Sequence, residues 1–407
     1  MYMLTMYPEI APTLKRFSTG LWPAKSNNNY FLVIKAPKEF ILTAEINKGF
    51  EFYLAPVAVG SIETLALITA FFDDEESPLV LTTPLLAEAR MTHDFLQVVR
   101  TDSFDVFFLD DHNRELLSYR ASGDFHTLRY RVASAVMVSA ENAPEMLASA
   151  EAWFTRRDNV DDAQAIKVHL CESLQPENFS ILDARQSSHR FHGAASFSRF
   201  ALHREDPEHS QELGIALLFQ RIYPSSRVYL NPIKTSDGEE LVDVMVVGDE
   251  AVLLIQANGC PNTQINLHTS LERKRSESIK QVDRGAGQLG GAVAQIKRDP
   301  VLSLRAREGT FELDLTGQLI IGIVVVKELS HGLYPDYSAK AFEFIEKHQT
   351  PMLFFDYSQL SEAVSHCVSE DLHVSENTFL AITDQMFAIA VERGEFPRLT
   401  YEGFRPE

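Results

Sequence analysis

The sequence predicts a protein of α/β class, more narrowly α+β, in which a β-rich N-terminal half precedes a half that mixes strands and helices. Short runs of β-branched and aromatic residues fill the first half at close spacing, as in sheets. In the second half, two apolar runs separated by Gly248-Asp249-Glu250 indicate a β-hairpin. Helical patterns on both sides of this hairpin indicate helices packed against a sheet.

Length and composition predict an ordinary globular protein of two to three domains. The chain has 407 residues, of which 45% are hydrophobic and 23% are charged. A polar stretch with little apolar periodicity suggests a linker at 183–208. We therefore expect a β-rich domain at 1–182 and a second domain at 209–407.

The charge balance limits the partners that the chain can take. Its formal net charge is −20, and a field of that sign repels phosphate, so any contact with nucleic acid must be local. No apolar run approaches the ~20 residues that span a bilayer, so no membrane association is expected. The start lacks the pattern of a signal peptide, and Cys171, Cys260 and Cys367 are widely spaced. These features favour a cytoplasmic protein.

The first half is predicted to consist mainly of strands. It contains no phosphate loop, nucleophile elbow or catalytic triad, so we expect a binding or sensing module, or one that forms a homo-oligomer or holds a partner protein. The predicted elements are strands at 30–34, 40–44, 50–54 and 64–70, a hairpin of 104–109 and 115–119 around the turn 110–113, and a helix at 143–154.

The second half alternates helices and strands. Ser375 is expected to cap the last helix, with Gly394 ending it. The predicted elements are a helix at 212–222, strands at 227–230, 241–247 and 251–258, a helix at 271–297, strands at 319–326 and 352–355, and helices at 360–368 and 375–393.

Polar residues interrupt the central hairpin at few inner positions. Because side chains alternate along a strand, Asp243 shares a face with Leu241 and Met245, and Gln256 shares one with Asn258 on the partner strand. The hairpin can therefore gather Asp243, Gln256 and Asn258 into one patch. The alternative is an edge charge at Asp243 and a turn that opens at Gln256 and Asn258.

The order of helix, three strands, helix and strand resembles the PD-(D/E)xK, or restriction-endonuclease-like, nuclease superfamily over residues 205–330. More narrowly it resembles the D…QxK variant: Glu212 matches the helix acid, Asp243 the strand Asp and Gln256 the Gln, while Asn258 stands in place of the lysine. The resemblance implies a restriction-endonuclease-like core of a mixed sheet flanked by helices. It also implies metal binding by Glu212 and Asp243, and catalysis by Asp243, Gln256 and Asn258.

Phosphodiester hydrolysis explains these residue types. A divalent cation such as Mg²⁺ or Mn²⁺ neutralises the phosphate, activates water and prefers oxygen ligands. Loss of a positioned charge such as the lysine commonly lowers the rate by about 100-fold to 1000-fold. We therefore expect a metal-dependent, DNA-endonuclease-like phosphodiesterase with an impaired or altered site, and a defence nuclease is one form of it. The alternative is an inactive pseudo-nuclease that binds nucleic acid or protein.

A local basic patch follows the hairpin and is the expected contact with DNA, or with RNA. The alternative is a solvated helix face paired with nearby acids. The four glycines within the same helical pattern predict close packing on the sheet, with Gln288 able to reach the polar patch. The residues of the basic patch are Arg273, Lys274, Arg275 and Lys280.

Overall fold

The computed structural model describes residues 3–10, 12, 14, 19–27, 29–74, 76–87, 90–176, 181–203, 207–259 and 269–399. About 41% of the residues are helical and 32% lie in strands, which confirms the predicted α+β class. Cys260 lies outside the described residues.

The N-terminal half is built on an eight-stranded sheet with the order β1-β2-β6-β7-β8-β3-β4-β5. All neighbours in it run antiparallel except β2 and β6, which are parallel. The expected hairpin around the turn 110–113 is its β6-β7 pair. The strands are β1 (Gly20–Ser26), β2 (Asn29–Lys35), β3 (Gly49–Val59), β4 (Ile62–Phe71), β5 (Leu79–Pro84), β6 (Ser103–Leu109), β7 (Glu115–Ser122) and β8 (Ile166–Ser173).

Within the described residues, six helices accompany this sheet, and one replaces an expected strand. The run Phe40–Ala44 lies inside a helix that follows Pro37, so the strand prediction at 40–44 is wrong. All five of its residues are buried, so the apolar period that would have distinguished helix from strand is absent. The helices are α1 (Met3–Met6), α2 (Lys38–Ile46), α3 (Arg90–Val98), α4 (His126–Ser134), α5 (Ala143–Thr155) and α6 (Asn159–Ala163).

A short two-stranded sheet, β9 (Ile181–Asp183) with β10 (Ser198–Phe200), leads to the second half. There, helix α7 (Pro207–Phe219) precedes a five-stranded mixed sheet with the order β11-β13-β14-β17-β18. The hairpin β13-β14 is antiparallel, whereas β14, β17 and β18 are parallel. The strands are β11 (Val228–Leu230), β13 (Val244–Val247), β14 (Ala251–Asn258), β17 (Leu319–Val326) and β18 (Met352–Asp356).

The parallel step from β14 to β17 needs a crossover, and helix α8 (Leu271–Arg298) supplies it by packing on both strands. The crossover also carries β15 (Val301–Ala306) and β16 (Gly309–Asp314). In a three-stranded sheet, β15 pairs with β16 on one side and with β12 (Ile233–Lys234) on the other.

In the described part of the chain that follows β17, there are three more helices: α9 (Tyr334–His348), α10 (Tyr357–Cys367) and α11 (Leu372–Arg393). Ser375 does not cap α11, because Asp371 accepts the amide of His373 and starts the helix earlier. Ser375 is buried inside the first turns and donates to the Asp371 carbonyl.

The two halves share one hydrophobic core, since a single cluster of buried residues runs from Leu21 to Phe396. The domain boundary at 183–208 and the role of the N-terminal half remain predictions. Among the described residues, no helix combines the length and the apolar character needed to span a bilayer.

A buried polar contact also joins the halves. The turn after β6 places Asp111 and His112 against the second half, where the Tyr357 hydroxyl donates to Asp111 at 2.9 Å. The same hydroxyl lies 3.2 Å from His112 Nε2, and Arg221, just after α7, donates to the Asp111 carbonyl at 2.9 Å. The helix α7 that carries Glu212 is thus tied to the N-terminal sheet.

Candidate active site

Asp243 lies at the start of the central hairpin, directly before β13. The register pairs Val244 with Ile255, so Asp243 stands opposite Gln256, and its Oδ2 accepts the Ala257 amide at 2.7 Å. Both Asp243 and Gln256 are buried. The strand alternation in the sequence therefore corresponds to a real pair, in which the fixed carboxylate of Asp243 faces the buried side-chain amide of Gln256.

Helix α7 brings Glu212 to the same end of the hairpin. Asn231, in the left-handed region at φ 48°, donates its main-chain amide to the Asp243 carbonyl at 2.8 Å. Its side-chain Nδ2 donates both to Glu212 Oε2 at 3.0 Å and to Glu240 Oε1 at 3.2 Å. Glu212, Glu240 and Asp243, named here the acidic cluster, are thus organised around one asparagine.

The electrostatics of the acidic cluster are those of crowded like charges. Burial, together with the charges of Glu212 and Glu240, raises the pKa of Asp243 to about 7, against the opposing hydrogen bonds from Ala257 and Gln256. Partial desolvation and the charge of Glu212 also raise the pKa of Glu240. Both charged neighbours that shift Asp243 are acids. The basic group beside the cluster is His209, whose Nδ1 lies 3.3 Å from Glu212 Oε2 and which opposes the rise in the pKa of Glu240.

Asn258 ends β14, two residues after Gln256. It is 8% exposed and donates from Nδ2 to Gln288 Oε1 at 3.2 Å, so α8 does reach the site through Gln288. The close approach depends on Gly285, because a Cβ there would lie 2.6 Å from Val324 Cγ1 and 2.9 Å from Asn258 Nδ2. The side chain of Asn258 is therefore tied to the helix.

The oxygen atoms at this site are of the chemical type that a hard divalent cation prefers as ligands. Glu212, Glu240 and Asp243 offer carboxylates, and Asn231 Oδ1 is a buried oxygen with no hydrogen-bond partner, as an unoccupied ligand would be. Among the described residues, however, no three His, Cys, Asp or Glu groups are close enough together to hold a metal ion. A cation here would rest on two carboxylates, with amide oxygens and water completing its shell.

The four residues of the predicted basic patch point in different directions. Arg273 and Lys280 are exposed on the outer face of α8. The side chain of Lys274 is 14% exposed and lies 2.6 and 2.5 Å from Asp73 and Asp74. Arg275 is exposed and lines a cavity between the halves. Consecutive helical residues differ by about 100°, so one run of three bases cannot form one face. Lys274 belongs to the junction of the two halves rather than to a surface for nucleic acid.

The cavity has a volume of about 850 Å³ and reaches the site at Gln211 and Gly259, next to Glu212 and Asn258. Arg114 and Tyr357 line it from the two halves. The candidate site thus borders the space between the halves.

Sequence reasoning missed Glu240 and Asn231. Glu240 lies three residues before Asp243, and Asn231 directly follows β11, so both stand at strand ends near the matched acid. The sequence signal that could have indicated these two site residues is a polar side chain at the end of a strand. It was weak, because strand ends attract Asn and Glu for turn formation as well.

No protein-family model matches the chain, and no curated protein matches its sequence. Among solved structures, the chain is similar to the small subunit of the heterodimeric restriction endonuclease R.BspD6I, with 11% identity and a TM-score of 0.24. The similarity covers 45% of this chain and 91% of that subunit. A TM-score this low carries no argument about fold or function.

Proposed function

We propose that this chain is a metal-dependent phosphodiesterase that cleaves DNA, with Glu212 and Asp243 as metal ligands. The observation that carries the proposal is that Asp243 faces Gln256 across the hairpin while Glu212 is joined to the same strand end through Asn231. This arrangement, on the order of helix, strands, helix and strand, resembles the PD-(D/E)xK nuclease superfamily in its D…QxK form.

Each residue has a role that its position supports. A bound Mg²⁺ or Mn²⁺ would neutralise the scissile phosphate and lower the pKa of the attacking water. Glu212 and Asp243 would hold the cation, and Gln256 would act as a polar ligand or as a contact to the phosphate. The Ala257 amide fixes the Asp243 carboxylate, and Asn231 holds Glu212 near it.

Asn258 explains why we propose an impaired or altered enzyme. Its amide can donate a hydrogen bond to a phosphate oxygen or to water, but it carries no charge, and it already donates to Gln288. A lysine at this position would place a cation beside the acidic cluster. Its absence is expected to lower the rate by roughly 100-fold to 1000-fold.

A catalytically inactive module that binds nucleic acid or protein is the second candidate. Two observations favour it: Asn258 is engaged with α8, and the described residues hold no assembled group of three metal ligands. In this case the acidic cluster would be a remnant of an active site.

Cleavage of supercoiled plasmid DNA in Mg²⁺ or Mn²⁺ separates the two candidates. The unmodified protein, Asn258→Lys, and Asn258→Lys with Asp243→Ala are compared. We expect slow nicking by the unmodified chain, about 100-fold faster cleavage by Asn258→Lys, and none once Asp243 is also replaced.

Metal binding is measured separately by calorimetry with Mn²⁺, because it does not depend on turnover. Glu212→Gln and Asp243→Asn should each abolish binding, whereas the exposed Glu312→Gln should not. Cleavage that persists in Asp243→Ala would refute the site assignment. If Mn²⁺ binds but no variant cuts DNA or RNA, the inactive module is the better description.

A further inference from the structure

One exposed face of α8 carries a line of basic and small residues. At about 100° per residue, its members fall within roughly 60° of one another around the helix axis. All are exposed to solvent. We name this line the α8 stripe; it consists of Arg273, Lys280, Arg284, Gly287, Gly291 and Arg298.

The charge of this face is positive although the chain is strongly acidic. The stripe has four cations, and the acid that intervenes on the same side, Glu277, lies 4.0 Å from the exposed Lys280 in a loose pair. Asp283, at the flank, is bound at 2.7 Å by Lys340 of α9. Surface pairs of this kind are weak, so the cations of the stripe remain available to a denser line of negative charge.

Two glycines leave the middle of the stripe without side chains. A Cβ at Gly287 or Gly291 would meet nothing within 4 Å, whereas one at Gly290 would lie 2.7 Å from His348 Nε2. Packing therefore explains Gly290 but not Gly287 and Gly291. Each glycine costs a helix about 1 kcal/mol relative to alanine. Without side chains at these two positions, the backbone of a ligand can approach the helix closely between the cations.

The stripe is continuous with the candidate site. Gln288 lies one turn after Arg284, on the flank of the stripe, and accepts the hydrogen bond from Asn258 at the end of β14. A ligand that lies on the stripe is thus one side chain away from the residue in the lysine position. We propose that a DNA duplex docks on the α8 stripe by its phosphate backbone; this inference rests on the proposed function, for which it positions the substrate.

A duplex fits this face better than a single strand does. Single strands are held largely by stacking of bases on aromatic side chains, and α8 contains no aromatic residue. The helix has 28 residues, which at about 1.5 Å each span about 42 Å, or about 12 base pairs of duplex. A straight row of cations matches the regular phosphates of a duplex.

Binding of a fluorescein-labelled 20-base-pair DNA duplex, followed by anisotropy in EDTA, tests this inference without cleavage. Lys280→Ala with Arg284→Ala should weaken binding by about 10-fold and reduce the dependence of log K on log salt by about 2. The matched control, Arg305→Ala with Arg307→Ala, removes two exposed arginines from the β15-β16 hairpin and should leave affinity within 2-fold. If the control weakens binding and the α8 variant does not, the inference is wrong.

Gly291 allows a second test that does not depend on removing a cation. Gly291→Gln and Gly291→Glu are nearly isosteric, and the open space at this Cβ should let both fold, as melting curves would verify. We expect Glu to weaken duplex binding by at least about 10-fold and Gln by less. Unchanged affinity in both variants would overturn the inference, as would tighter binding of single-stranded DNA or of an RNA duplex.

The outcomes separate this inference from the proposed function. Duplex binding that depends on the α8 stripe, with no cleavage in any variant, supports the docking face and refutes the nuclease. Metal-dependent cleavage whose KM is unchanged in Lys280→Ala with Arg284→Ala supports the nuclease and refutes the docking face.

Discussion

The ammonium group of Lys274 lies 2.6 Å from the Asp73 carboxylate and joins the first turn of α8 to the turn after β4. Asp74 binds the same ammonium group at 2.5 Å, and both aspartates are almost completely buried. Lys274→Met would leave the buried Asp74 without its cation, and Asp73 with only the more distant Lys327, at 3.7 Å. We expect it to lower the free energy of unfolding by about 3 to 5 kcal/mol, measured with urea.

The matched variants for this prediction are Arg273→Met and the triple variant Lys274→Met with Asp73→Asn and Asp74→Asn. Arg273 is exposed, so its replacement should change stability by less than about 0.5 kcal/mol. The triple variant should recover most of the lost stability. An effect of Lys274→Met no larger than that of Arg273→Met would show that the junction does not depend on this ion pair.

Gly214 of α7 allows Tyr357 to reach the N-terminal half. A Cβ at this position would lie 2.8 Å from the Tyr357 hydroxyl, which hydrogen bonds Asp111. Gly214→Ala should therefore destabilise the protein by about 1 to 3 kcal/mol, although alanine is normally the better helix residue.

A double-mutant cycle with Tyr357→Phe checks this cause. Removal of the hydroxyl relieves the clash, so Gly214→Ala should cost clearly less in the Tyr357→Phe background. Additive effects would mean that Gly214→Ala acts elsewhere.

Asp243 should make stability depend on pH when no metal is present. Its folded-state pKa of about 7 is above the ordinary value of 3.8, so the folded protein holds a proton that the unfolded chain has lost between these pH values. Stability is therefore lost as pH rises through this window. The stabilising effect of Asp243→Asn should grow by about 1 to 2 kcal/mol between pH 5.5 and 8.

Urea unfolding in EDTA at the two pH values measures this effect. The exposed Glu239→Gln removes the same charge close by and should show no comparable growth. An equal benefit of Asp243→Asn at both pH values would contradict the raised pKa.

Metal affinity should rise with pH over the same range. A cation binds the ionised carboxylate, so it must displace the proton from Asp243 below a pH of about 7. Calorimetry should find about 5-fold tighter Mn²⁺ binding at pH 7 than at pH 6, with little change above pH 8. A pH-independent affinity would exclude Asp243 as a ligand.

The sequence by itself determined the elements whose patterns are local. The hairpin around Gly248, the long helix α8 and the alternation that turns Asp243 toward Gln256 follow from residue spacing along a short stretch. The run Phe40–Ala44 shows the limit of such reasoning, because full burial removes the period that separates helix from strand.

Only the tertiary structure decided which charges meet. Lys274 is 201 residues from Asp73 in the chain, and Asn231 joins Glu212 to Glu240 from a separate loop. Hydrogen bonds and ion pairs act over a few ångströms in space, whereas sequence patterns report neighbours along the chain. The local signal thus predicted Asp243 and Gln256, and the fold alone decided that Lys274 pairs with buried aspartates and that the helix face with Arg273, Lys280 and Arg284 is the exposed one.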